Sequence, residues 1–220
     1  MSPVIKQFKK IVFTILLIPV MVLVFAQVKP KAPSEQFTTF KRLTAQANVI
    51  FTPQPGFREI KALNNEDFTF DYAMELPGHE FEVWYMVRSQ KENWASYERA
   101  LSDDKLKLAN PDSVYIDMGQ AHAIAFTGER HSFIKMLPPP VLKRYHADAG
   151  RSHLLNLLDM PETKRYQYAL LLSLQKFHTG TILMVCFTNN KSPEFYKNVE
   201  RAGSSLKFKP APQNVSKLAD

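Results

Sequence analysis

The strongest run of apolar positions in this chain lies in its C-terminal third. Tyr166 to Lys176 and Thr181 to Thr188 read as two apolar strands joined across Phe177-His178-Thr179-Gly180. In the second, Ile182, Met184 and Cys186 point one way while Leu183, Val185 and Phe187 point the other, because side chains alternate across a strand. Neither side is polar, so this strand is expected at the centre of a sheet covered on both faces. A helix is predicted next, from about Pro193 to Leu206. Ser192 offers a cap, Pro193 suits the first turn, and Phe195, Val199, Ala202 and Leu206 recur on one face.

Earlier elements are shorter. Val49-Ile50-Phe51 reads as a strand closed by the turn-forming Pro53-Gln54-Pro55-Gly56, with a second short strand within Phe57 to Ala62. Asp67 to Arg88 predicts a hairpin. Phe68, Phe70, Tyr72 and Met74 alternate with Thr69, Asp71 and Ala73, leaving one wet face; Phe81, Val83, Tyr85 and Val87 alternate with Glu80, Glu82, Trp84 and Met86, an outer face covered at one end only. Ser89 to Asn110 is a polar connection with some helix. Asp112 to about Thr127 predicts a helix, with Val114, Met118, Ala121 and Ala125 on one stripe and Tyr115, His122 and Phe126 on the next. Pro138-Pro139-Pro140 opens a short helix that ends before Gly150, and Leu154 to Leu158 is a candidate strand.

The chain has 220 residues, enough for one well-buried domain. Its formal charge of +7 sits at the ends. Between Gln46 and Leu206 there are 18 basic and 19 acidic side chains. A balanced domain has no excess from which to build a large phosphate-neutralising surface, so a nucleic-acid partner is not expected. Cys186 is the single cysteine, which excludes an intramolecular disulfide; its place inside an apolar strand marks a buried structural thiol.

Residues 1–26 read as a secretory signal. Lys6, Lys9 and Lys10 form a positive start, Ile11 to Phe25 is almost wholly apolar, and Val24-Phe25-Ala26 ends in the small residue that cleavage needs, placing the cut between Ala26 and Gln27. The apolar run is short for a membrane span of roughly 20 residues and contains Pro19; the alternative is an uncleaved N-terminal anchor, the one membrane contact expected. Residues 27–47, with Pro30, Pro33 and scattered Lys, are expected to be a linker in which 36–46 has some helical character. The domain is expected over 48–208, and 209–220 as a flexible tail.

Chemistry is sparse. There is no Gly-x-Ser-x-Gly, no phosphate-cradling glycine loop and no dinucleotide fingerprint. The nearest constellation is His146, Asp148 and His153, an imidazole pair with a carboxylate of the kind that ligates a transition metal if the three converge at about 2.0 to 2.2 Å from the ion. Gly150 is expected to break a helix between the histidines, and a surface loop turned by Asp148 is the simpler reading. His122 fits a packed helix face and Asp103-Asp104 a solvated turn. Asn190-Lys191-Ser192 and Asn214-Val215-Ser216 match the glycosylation sequon.

The strand ending in Pro-Gly within Phe51 to Phe57, the phrase Phe81-Glu82-Val83-Trp84-Tyr85, and the closing strand, helix and Ser204-Ser205-Leu206-Lys207-Phe208 resemble the superfamily of PsbP, the extrinsic photosystem II subunit, and a nuclear factor that binds the GTPase Ran. Val141 to Asp148 followed by Gly150 is similar to exported Bacteroidetes proteins of unassigned function. The resemblance covers most of 48–208 and implies an α+β chain folded as an α/β/α sandwich, with a central, mainly antiparallel sheet covered by helices. It implies no catalytic residues and no cofactor, and its photosynthetic and Ran-related activities do not carry over. The expectation is an exported, non-catalytic binding or accessory protein of the bacterial cell envelope, secreted or periplasmic, taking a protein or small ligand. The alternative is a secreted hydrolase or metal-dependent enzyme using His146, Asp148 and His153.

Overall fold

A computed structural model describes residues 32–101, 108–130 and 133–210. The expected signal segment 1–26, its Ala26–Gln27 junction, Asp103-Asp104, the second sequon and most of the expected tail lie outside the described residues.

The doubly apolar strand sits where its sequence demands. β7 (Tyr168–Lys176) and β8 (Gly180–Thr188) form the central hairpin, and every residue of β8 is buried. The sheet has seven strands in the order β2-β3-β4-β8-β7-β6-β5, where β2 is Arg58–Ile60, β3 Tyr72–Glu75, β4 Glu82–Ser89, β5 Phe133–Met136 and β6 Ala149–Asn156. All neighbouring pairs are antiparallel. A two-stranded sheet pairs β1 (Val49–Phe51) with β9 (Leu206–Phe208), so the chain is α+β.

Alternation along the strands separates two cores. On one face, Tyr72, Val83, Tyr85, Leu172, Leu174, Met184 and Cys186 meet α1 (Glu35–Gln46), the β1–β9 pair, α4 (Pro139–Tyr145) and α5 (Pro193–Ser204). On the other, Ala73, Trp84, Leu171, Leu183, Val185 and Phe187 meet Phe68, Phe70 and the inner side of α3 (Val114–Thr127). A further helix, α2 (Lys91–Ala100), follows β4. Burial pushes the Cys186 thiol well above its ordinary pKa, as expected of a packed structural cysteine.

Several expectations are revised. The stretch 27–47 is not all linker. Ser34 caps α1 by accepting from the Phe37 amide at 2.9 Å, and Phe40 is fully buried, stacked on Tyr72 at 5.0 Å between centroids. One buried aromatic face outweighs the helix's polar composition.

Phe68 and Phe70 do not share a face with Tyr72 and Met74. Asn65 accepts from the amides of Asp67 and Phe68, folding this stretch into a turn rather than a strand. Ala73 is then buried rather than wet, and of the outer face of the second strand Glu80 is exposed at its start while cover extends further than expected, over Glu82, Trp84 and Met86.

The inward stripe of α3 is Tyr115, Gly119, Ala123 and Phe126. Gly119 sets this rotation, because a Cβ there would lie 2.9 Å from Ser173 Oγ. Gly150 is a strand residue, its open side filled by Leu137 and Leu174. β6 therefore starts well before Leu154, and β5 is an edge strand that the apolar pattern did not reveal. The last helix stops at Ser204, so Leu206 belongs to β9.

Candidate functional site

The imidazole–carboxylate set does not converge. His146 ends α4 in a left-handed conformation, φ 52°, and its Nδ1 lies 2.8 Å from the Phe208 carbonyl oxygen. Asp148 is engaged at both oxygens, accepting from Lys176 Nζ at 2.7 Å and from the Phe177 amide at 2.8 Å. It holds the β7–β8 turn. His153 belongs to the opposite face of the sheet. It stands across from Leu171 and two residues before Leu155, both in the core under α3, and its Nε2 faces Gly119. Burial pushes its pKa down, with Arg151 adding to the effect. Among the described residues no group of three or more His, Cys, Asp and Glu is placed to hold a metal ion.

The other singled-out residues have structural roles. His122 packs edge-on against Phe70, with Nδ1 2.8 Å from the Met118 carbonyl; burial lowers its pKa. Ser192 of the first sequon caps α5, accepting from the Phe195 amide. A polar chain runs beneath α2. Gln175 Nε2 donates to Asp112, Thr181 donates to Gln175 at 2.6 Å, and His178 lies 3.2 Å from Asp112 while stacking on Trp94. These groups satisfy one another, so they clamp the β7–β8 turn.

A mostly apolar groove of about 450 Å³ opens on the face carrying α4 and α5. Its floor is Ser152 of β6 with Leu170 and Leu172 of β7. α4 contributes Val141 and Tyr145, α5 contributes Val199 and Gly203, and Leu137 closes one end. α5 packs on β8 and β9, and α4 packs on α5 and β9; the groove opens between these helices and the β6–β7 floor. Proline at the start of α4 and the left-handed His146 at its end limit that helix to two turns.

The rim is polar. Arg144 and Glu200 pair across it at 3.3 Å, both solvent-exposed. Lys207 lies beside them and forms no ion pair among the described residues. Tyr145 lends the groove its hydroxyl, which makes no hydrogen bond among the described residues; burial pushes its pKa up to about 12, so it remains a neutral donor. The Ser152 hydroxyl likewise makes no hydrogen bond among the described residues, its backbone being paired in the sheet. Across from Ser152 stands Lys135 of β5, and Phe133, on the same face of that edge strand, is 60% exposed.

Sequence reasoning placed Val199 on the packed face of its helix and missed the groove. The one available signal was Gly203, a glycine inside an otherwise well-formed helix. No protein-family model and no curated protein matches this chain.

Proposed function

We propose that this chain is an exported, non-catalytic binding protein of the bacterial cell envelope, and that the groove between α4, α5 and β6–β7 is its binding surface. The observation that carries this reading is a mostly apolar concavity, within the size range of small-molecule sites, lined by the unpaired hydroxyls of Tyr145 and Ser152. The charge-balanced domain and the positive, apolar N-terminal segment support a role outside nucleic-acid binding and at the envelope. The resemblance to PsbP-like proteins and the α/β/α sandwich it implies belong to the same proposal, supported by apolar cores on both faces of the antiparallel sheet.

The test is native mass spectrometry of the full chain isolated from the envelope of its source cells. The reading expects a non-covalent adduct that is lost in Ser152→Trp, a substitution that fills the groove while suiting a strand. An adduct-free protein, with a turnover abolished by one substitution at His146, Asp148 or His153, overturns it.

A further inference from the structure

The groove's charges and hydroxyls select a class of ligand, and this step rests on the binding role just proposed. Two cations, Arg144 and Lys207, stand at the mouth against one carboxylate, Glu200. The Arg144–Glu200 pair is exposed at both ends. Such pairs contribute little to stability, so an incoming anion displaces Glu200 at small cost. Lys207 is already available. Lys135, opposite Ser152 across β5 and β6, adds a third positive charge on the same face. The Tyr145 hydroxyl and, on the floor, Ser152 present donors, and the rest of the lining is aliphatic: Leu137, Val141, Leu170, Leu172 and Val199.

We propose that the groove binds an amphipathic carboxylate of the fatty-acid type, its head held by Arg144 and Lys207 with the Tyr145 hydroxyl donating to it, and its chain laid along β6 and β7. The presence of both surfaces in one groove carries the assignment. A cationic rim without an apolar floor fits a small anion, and an apolar floor without the rim fits a neutral lipid; this groove has both. Guanidinium and carboxylate match in planar geometry, which favours Arg144 as the principal head-group contact.

Isothermal titration of the full chain with sodium dodecanoate, below its micelle concentration, tests this. Dodecanol and dodecyltrimethylammonium serve as neutral and cationic controls of equal chain length. The expected result is saturable binding of dodecanoate that weakens about tenfold or more in Arg144→Glu/Lys207→Glu, as loss of charge-assisted hydrogen bonds predicts, and that disappears in Ser152→Trp. Circular dichroism and the urea midpoint check that each variant is folded, and Arg144→Gln/Lys207→Gln replaces the charge reversal if it is not. Equal dodecanoate binding by wild type and charge-reversed protein, dodecanol or the cation binding as tightly as dodecanoate, or no dodecanoate binding at all, overturns the ligand class. If the native adduct persists in any of those cases, the binding role stands and this assignment alone falls.

Discussion

The hydroxyl of Tyr145 occupies the space that a Cβ on Gly203 would need. Helices α4 and α5 approach this closely because position 203 has no side chain, and their contact forms one wall of the groove. Gly203→Ala sets two effects against each other. Alanine raises helix propensity by about 1 kcal/mol, while driving a buried tyrosine off its seat costs about 1–3 kcal/mol. Crowding is expected to win, because the ring is stiff and its Cζ also lies 3.1 Å from the added atom. The urea midpoint should fall in Gly203→Ala and recover in part in Gly203→Ala/Tyr145→Phe; a midpoint raised by the single change would contradict this packing.

Two neighbouring ion pairs should differ in worth. Glu82 is buried, receives Lys164 Nζ and accepts from Trp84 Nε1 at 3.2 Å. Arg165 and Asp159 pair at 2.5 Å with both side chains exposed. Lys164→Met leaves a buried carboxylate short of a cation and should cost about 2 kcal/mol, less than a fully buried pair because Lys164 itself is half in water. Arg165→Met should cost under about 1 kcal/mol. Urea unfolding of the two variants checks the order, and equal losses would count against the buried role of Glu82.

Stability should fall as the solution is made mildly acidic. His122 and His153 both titrate below their ordinary 6.5, chiefly through burial. The unfolded chain takes up their protons first. Their contribution is therefore fully present above 6.5 and is lost as pH falls from there toward the folded-state values, by up to about 1.4 kcal/mol per histidine per pH unit. Asp71 behaves with the opposite sign. Burial raises its pKa despite Arg88, so its ionisation lowers stability as pH rises from 3.8 through the folded-state value. Unfolding free energies at pH 7.5 and 5.5 should show a loss in the wild type that shrinks in His122→Asn, with Asp71→Asn run in parallel. An unchanged loss in His122→Asn would remove this histidine from the account.

Much of the fold was legible because burial on two faces leaves a mark that polarity cannot imitate. Ile182 to Phe187 located the sheet centre, and Ser192-Pro193 located the start of α5. Legibility failed where one residue sets a rotation or a bend. Two stripes on α3 were readable but not which is buried deepest. Gly119, against Ser173 of a distant strand, turns Tyr115, Ala123 and Phe126 fully inward and leaves Met118 and Ala125 at the margin of that core. Asn65 folds back the stretch before Tyr72 and sends Phe68 to the other core. The His146–Asp148–His153 spacing suggested one locus, yet β6 turns His153 to the far face. The groove was illegible for a related reason, since its aliphatic walls read as core until the space between the touching helices and the β6–β7 floor is seen.

The proposed export makes its own prediction. The mature protein recovered from the envelope or medium should begin at Gln27, with the cut after Ala26, as the apolar segment and its small-residue end predict. Sequencing the N-terminus of the protein from fractionated cells decides this; an intact Met1 in the membrane fraction would instead show the segment kept as an anchor.

The most direct test of the groove as the binding surface is methyl NMR of the chain titrated with sodium dodecanoate. Val141, Leu170, Leu172 and Val199 line the groove, while Val185 and Leu183 lie in the core beneath α3. The account predicts saturable shifts concentrated in the first four methyl sets, with Val185 and Leu183 nearly still. Shifts centred beneath α3 or along β5, with the groove methyls unmoved, would contradict it.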